Sequence, residues 1–393
     1  MMVAGEASAD LHGSRVVEAL MRLDPEIRVY GMGSEHMRRA GAQLLIDSSR
    51  LAVVGITEVL GRMRALVQAY RSLKHFIKEN KLILLILIDF PDFNLSLARV
   101  ASRAGVPVLY YISPQVWAWR SGRVRKIVRR INKMAVIFPF EVPIYQEAGL
   151  QVEFVGHPLL DVLTTNFPED VFSNTSLLKG DPLIALLPGS REREIHSLLP
   201  EMLRAAGILA EQKKGARFIL PAASTVNVQE LKEFLRPYRL PISVVEGQAY
   251  RAIQSADVVI VASGTATLET AILGKPMVIV YKVSPVSYWV GKATVKVDWI
   301  GLVNIVAGKR VVPELLQGEA SGERIAAEAL RILDDGAYRR EMIEELAEVR
   351  KKLGTPGAAE RVARMALGMI SAQYNDVLIK SRHSGGNRSP ENP

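Results

Sequence analysis

Several short stretches of this chain carry residue types suited to chemistry rather than packing. In VASGTATLETAIL an apolar run stops at Ser263, Gly264 and Thr265, and a lone carboxylate, Glu269, follows in an otherwise apolar segment. Short hydroxyls and free N–H groups at a helix start favour an anion such as pyrophosphate. Glu269 lies about one helical turn beyond Thr265, on the same face, where it can accept hydrogen bonds from two ribose hydroxyls. An N-capped helix with a partly solvated glutamate accounts for the same residues. A second turn, Gly189-Ser190-Arg191 in PLIALLPGSREREI, again joins an apolar run to a helical one. Its arginine can hold phosphate oxygens through two donors at once. The blander reading makes Ser190 a helix cap and Arg191 a surface charge. Two such turns in one half of the chain favour a nucleotide-diphosphate site over either bland reading.

The other half has its own candidates. LILLILIDFPDFN ends the most apolar run on Asp89. Burial there raises a carboxylate's proton affinity toward the range useful to a general base. Asp92, beside Pro91, reads as a helix cap. VAGEASADLHG brings Glu6, Asp10 and His12 to another strand–loop–helix junction. His12 can donate to a phosphate or share a proton, or simply occupy a first helical turn. YYISPQVWAWRSGRVRKIVRRINK sets Trp117 and Trp119 among Arg120, Arg123, Arg125, Lys126, Arg129 and Arg130. That pairing suits a phosphorylated sugar, a lipid headgroup or nucleic acid, or else interdomain packing beside a solvated basic face. No nucleic-acid motif accompanies it. Finally, Ile56, Val59, Leu60, Met63, Leu66, Val67 and Tyr70 share a helical face, ringed by Arg62, Arg64, Arg71 and Lys74. Such a stripe serves a membrane interface or a core.

The elements that must position these residues are apolar runs alternating with helical stretches. The runs LILLILID, VPVLYYIS, KMAVIFP, PLIALLP, ARFILP, ISVVEG, DVVIVAS and PMVIVYK are near-continuous, as parallel strands covered on both faces require. LSLARVASRAG and LLPEMLRAAGILAEQKKG read as amphipathic helices ending in glycine. The class is therefore α/β, with two doubly wound halves separated by a polar join at Thr164–Asp181. Ligands of such folds sit beyond the carboxyl ends of the strands, where the candidates above lie.

Composition bounds the rest. At 393 residues and 49% hydrophobic content the chain should form two globular domains. It has no cysteine, which excludes disulfides, thiolate metal sites and cysteine nucleophiles and fits a reducing compartment. MMVAGEASAD turns polar at once, unlike a secretory signal, and leaves a first strand only Met1–Ala4. The longest aliphatic run, Leu82–Ile88, is too short to span a bilayer. The net charge of +9 points to phosphate-bearing ligands, nucleic acid or an anionic membrane.

In order along the chain, GEASADLHG, LAVVGITEVLGR, IDFPDFN, YYISPQVWAWR, FPFE, VGHPLLD, LLPGSRERE, ASGTATLE and LVNIVAG…VVPELLQ resemble the motifs of the lipid-A-disaccharide synthase family, as far as about Ala372. The resemblance implies a GT-B glycosyltransferase with two Rossmann-like domains facing a central cleft. Residues 1–165 would be the N-terminal, acceptor and membrane-facing domain and 181–345 the C-terminal UDP-sugar domain. A helix over 346–372 would return to the N-terminal domain, across a homodimer or within the chain, before a disordered tail at 381–393.

The implied reaction joins UDP-2,3-diacylglucosamine to 2,3-diacylglucosamine 1-phosphate (lipid X), giving the β-1,6-linked disaccharide phosphate and UDP. By the same resemblance Ser263, Gly264 and Thr265 hold the UDP phosphates, Glu269 the ribose, and Arg191 faces the donor; Gly189 and Ser190 of its turn are expected to bind substrate. Asn304 faces the donor, Asp89 activates the acceptor's 6-hydroxyl, and Glu6 and His12 contact substrate. No metal or cofactor is implied, nucleic acid is not a partner, and the enzyme would sit peripherally on the anionic inner face of a Gram-negative inner membrane. Two departures stand out. Ala9 replaces a glycine of the family's GE-x-SGD loop, costing ~1 kcal/mol if that position needs a positive φ. Phe90 replaces a small residue, tightening the surroundings of Asp89.

Two other classes compete. One is a soluble UDP-sugar transferase or epimerase of the same fold, although an epimerase needs an additional acid/base set that cannot be assigned. The other is a silent nucleotide-sugar or lipid-binding protein, against which Asp89, Arg191 and Glu269 argue.

Overall fold

The computed structural model describes residues 1–51, 59–117, 121–166, 181–223, 226–283 and 298–384; side chains are described for all of these except 50–62, 121, 164–166 and 374–384. Ile56, Trp119, Arg120, residues 167–180 of the join and the tail beyond Ser384 lie outside the described residues. The chain divides into two compact units, Met1–Asp161 with Thr355–Pro393, and Val162–Gly354.

The first unit holds seven strands: β1 (Met2–Ala4), β2 (Tyr30–Gly33), β3 (Gln43–Asp47), β4 (Leu85–Ile88), β5 (Val108–Tyr111), β6 (Lys133–Val136) and β7 (Gln151–Phe154). They lie in the order β3-β2-β1-β4-β5-β6-β7, and every pair is parallel. β4 and β5 are buried along their whole length. That burial is why LILI and VLYY show no polar alternation. Ala69, Leu73 and Ile77 of the helix Val59–Glu79 pack into the same core as Leu85, Leu87 and Tyr110. On that helix Leu66 and Tyr70 also pack on the core, whereas Met63 and Val67 are exposed. The apolar stripe read from sequence is thus wider than the face the sheet covers.

The second unit repeats the plan with β8 (Leu183–Leu187), β9 (Arg217–Ala222), β10 (Ile242–Glu246), β11 (Val258–Ala262), β12 (Met277–Tyr281) and β13 (Glu314–Leu316). The order is β10-β9-β8-β11-β12-β13, again wholly parallel. The chain then returns to the first unit. Residues 346–352 end a helix of the second unit, Gly336–Lys352, and the helix that packs on Ala7–Leu23 begins only at Ala358. Between them Gly354 (φ 89°) and Gly357 (φ 99°) take conformations that suit glycine. The Asp161 carboxylate accepts the N–H groups of Gly357 (2.5 Å) and Ala359 (3.3 Å), fixing the start of the returning helix. The last helix, Ala358–Ser384, therefore starts later than a span of 346–372 would have it and runs four residues into the stretch expected as a disordered tail from Ser381.

In both sheets the strand order reverses at one place. β1 lies between β2 and β4, and β8 between β9 and β11. At such a reversal the connections leave on opposite sides, opening a crevice beyond the carboxyl ends of the two central strands. Gly5 and Glu6 follow β1 and Asp89 follows β4, while Gly189 to Arg191 follow β8 and Ser263 to Thr265 follow β11.

Candidate active site

In the second unit both glycine turns open on one cavity of about 400 Å³, which Gly189, Ser190, Arg191, Ser263, Gly264, Thr265 and Glu269 help to line. Gly189 has φ 110°, and a Cβ there would lie 2.5 Å from the Glu194 carboxylate, so glycine answers both conformation and space. Arg191 is the extended N-cap residue of the helix Glu192–Gln212, and its guanidinium donates to Glu194 Oε1 at 3.0 Å. Gly264, with φ 151°, is the N-cap of the helix Thr265–Ile272, and no side chain caps that helix. Its opening residues thus border the cavity with the positive end of the helix dipole. The Ser263 hydroxyl donates to the Ile300 carbonyl at 3.3 Å.

Glu269 reaches the cavity from the next turn of that helix. Tyr250 donates its hydroxyl to Glu269 Oε1 at 3.2 Å. Burial pushes this carboxyl above its ordinary range, and the tyrosine bond pulls partly against it. Tyr250 and Glu194 escape a reading of the sequence. Tyr250 follows Gly247 at the start of the helix Ala249–Ser255, and only the fold brings it to Glu269; Glu194 stands three residues after Arg191 in PGSRERE, where the turn draws attention to the arginine alone.

In the first unit Asp89 and Phe90 both adopt left-handed backbone, φ 47° and 48°, at the end of β4. Non-glycine residues adopt that conformation uncommonly, aspartate more readily than a bulky residue such as phenylalanine, and at functional sites their surroundings hold them there. The constraint is visible. The Asp89 N–H donates to the Tyr111 carbonyl (3.0 Å). The Asp89 carbonyl accepts the Tyr110 hydroxyl (2.6 Å) and Asn94 Nδ2 (2.7 Å). The Phe90 ring lies where a Cβ on Gly5 would stand, 2.4 Å from it, which is why the residue after β1 has no side chain. Asp89 is half-buried, and its carboxyl is pushed up to about 6, first by burial and then by the charge of Glu6, against a bond from Phe90 N–H. Glu6 is exposed at the N-cap of the helix Ala7–Leu23.

Other candidates fall differently. His12 is half-buried, and its Nδ1 has no hydrogen-bond partner among the described residues. Burial and the nearby Arg15 hold it down to about 4, and burial and His12 hold His157 at about 3, so both imidazoles are neutral near pH 7. Asp10 is fully buried and accepts the Ser34 N–H and hydroxyl and the His36 N–H, a scaffold role. Ala9 lies inside the first helix without positive φ, so it carries no strain from replacing glycine. Asp92 is not the cap of the helix Pro91–Arg103: Phe90 holds that place, and Asp92 pairs with Arg123 at 2.9 Å. Trp117 packs edge-on against Phe138 and Phe140 and donates its indole N–H to the buried Glu141 (3.2 Å). Arg125, Lys126 and Arg129 are exposed, whereas Arg130 donates to the Leu95 carbonyl.

Asn304 is not brought to the cavity. It is fully buried, donates to Val312 O (3.0 Å) and Glu314 Oε1 (2.7 Å), and accepts the N–H groups of Val311 (2.7 Å) and Val312 (3.0 Å). Glu314 also takes the N–H groups of Ile300 and Gly301. Among the described residues the asparagine braces Val311 to Glu314, and Glu314 in turn holds Ile300, whose carbonyl Ser263 bonds.

Two doubly wound units in one chain, each with its crevice at a strand reversal, define the GT-B class. The fold matches a putative UDP-N-acetylglucosamine 2-epimerase from Listeria monocytogenes (TM-score 0.62, 13% identity, 96% of each chain). It also matches the calicheamicin glycosyltransferase CalG4 (TM-score 0.58, 13% identity, 94% of this chain and 98% of that one). At such identities the likeness concerns the fold alone. The family model for lipid-A-disaccharide synthetase matches residues 1–366. The lipid-A-disaccharide synthase of Geobacter sulfurreducens is 50% identical over 374 residues, 95% of this chain and 97% of that protein. The chain belongs to the lipid-A-disaccharide synthase family.

Proposed function

We propose that this chain is an inverting glycosyltransferase of lipid A biosynthesis. It moves 2,3-diacylglucosamine from UDP to the 6-hydroxyl of 2,3-diacylglucosamine 1-phosphate, giving the β-1,6-linked disaccharide phosphate and UDP. The observation that carries the reading is the convergence of Gly189–Arg191, Ser263–Thr265 and Glu269 on one cavity. Arg191 and the N-terminus of the helix at Thr265 receive the donor phosphates, and Glu269 accepts from the ribose hydroxyls. Asp89 takes the proton of the acceptor hydroxyl as its oxygen bonds to C1 and the bond from C1 to the phosphate oxygen breaks. An α-linked donor and a β product require one displacement and one base. The negative charge on departing UDP is met by Arg191 and the helix end.

A carboxyl near 6 is ionised at neutral pH and more basic than an exposed aspartate, which suits that proton transfer. The site works at a membrane surface on the cytoplasmic side, because both substrates carry acyl chains. Supporting this, Met63 and Val67 are exposed on the helix Val59–Glu79 beside exposed Arg64 and Arg71, and the chain carries +9 net charge. Among the described residues no helix is long and apolar enough to cross a membrane. The test is UDP release in detergent micelles from UDP-2,3-diacylglucosamine and lipid X, with UDP-N-acetylglucosamine as control donor and mass spectrometry for the disaccharide. Disaccharide from the diacylated pair alone supports the reading. Turnover of the control donor alone moves the chain to a soluble UDP-sugar enzyme.

A further inference from the structure

We infer that Glu194 sets the affinity of the donor cavity by holding its carboxylate in the place a phosphate takes beside Arg191. This rests on the reading of that cavity as the UDP site. Glu194 is the third residue of the helix Glu192–Gln212, and its two oxygens do different things. Oε1 accepts from Arg191 Nη1 at 3.0 Å, and Oε2 lies 2.5 Å from the position of a Cβ on Gly189. The carboxylate therefore covers the glycine turn and occupies the guanidinium that border the same cavity as Ser263 and Thr265. A guanidinium that pairs with a carboxylate pairs equally well with two phosphate oxygens. Glu194 is thus an internal anion that an incoming phosphate must displace.

Helix stability does not require this arrangement. Glu192, 87% exposed, already places an acid in the first turn, where it favours the dipole. Arg191 is 82% exposed, and an ion pair so open to water adds little to folding. The pair costs little to break, so an incoming diphosphate can displace it at a modest cost in affinity. The same carboxylate would repel the product once the guanidinium is lost to it, favouring departure of UDP after transfer.

The test is calorimetric titration of UDP and of uridine into the wild-type chain and into Glu194→Gln, Glu194→Ala and Arg191→Gln, with a thermal melt of each. Both Glu194 variants should bind UDP roughly three- to tenfold more tightly, the scale of one nearby like charge in solvent, with the gain shrinking at high salt. Uridine, which has no phosphate, should bind all four proteins alike, and Arg191→Gln should weaken UDP alone. The melts of the Glu194 variants should match the wild type. If the wild type binds UDP and Arg191→Gln weakens it, yet both Glu194 variants bind no tighter, this inference fails while the donor-site reading stands. If no protein binds UDP, both fail together.

Discussion

The two crevices are built by opposite means from one topology. Around the cavity of the second unit the unusual backbone angles fall on glycines, Gly189 (110°) and Gly264 (151°). In the first unit they fall on Asp89 (47°), Phe90 (48°) and Ile112 (64°), at the ends of the neighbouring strands β4 and β5. Glycine reaches such angles without strain and leaves backbone N–H groups open to a ligand, which suits a site that grips phosphate. Side chains forced there cost on the order of 1–3 kcal/mol each, sustained only because their surroundings over-determine them. Tyr110, Tyr111 and Asn94 supply that determination around Asp89. The contrast is between a crevice shaped to bind and one that spends stability to aim a single acid.

The sharpest way to break this contrast is Asp89→Asn. It should lower turnover by about 10²- to 10⁴-fold, the usual worth of a general base. UDP affinity should not change, as a titration would show. The melting temperature should hold or rise, because the raised carboxyl means that the charged form is disfavoured in the fold and is relieved as pH falls through about 6. For the same reason kcat/KM of the wild type should fall about tenfold per unit below a pH of about 6. A profile flat to pH 5 would remove Asp89 from the role.

Next in size is Asn304→Ala. If the residue is a brace, it should cost about 2–4 kcal/mol of stability through the stranded partners, read by denaturant melts. A loss of donor affinity with no loss of stability would make it a ligand instead. Gly264→Ala meets no atom within 4 Å, so its cost is backbone alone. About 1 kcal/mol and a weaker UDP affinity should follow, without any effect on binding of acceptor. Smallest is Tyr250→Phe, which frees the Glu269 carboxylate from one neutral donor. It should weaken UDP by two- to tenfold, on the order of 0.5–1.5 kcal/mol, and raise the Glu269 carboxyl further.

What the sequence disclosed follows burial. β4, β5, β6, β8, β9, β11 and β12 were marked by apolar runs, because strands covered by helices leave a continuous signal, and the edge strand β10 was marked as well. β2 has two glycines in its four residues, β7 alternates Gln151 and Glu153 with Val152 and Phe154, and β3 holds only Leu44 to Ile46 between polar ends, so no long apolar run announces them. The glycine turns and Asp89 were legible because strand, turn and helix are contiguous in the chain. The inward turn of Asn304 was not: a turn signal gives the backbone's path but not the side chain's partners, which come from Val311 to Glu314. No motif carries the bond from Tyr250, and although Arg191 and Glu194 share the stretch LLPGSRERE, the sequence does not say that they pair.

The division between the crevices is tested most directly by hydrogen exchange with and without UDP, read peptide by peptide. Protection should appear over Gly189–Arg191 and Ser263–Glu269. Protection confined to Gly5–His12 and Asp89–Asn94, with none in the second unit, would contradict the assignment of the donor.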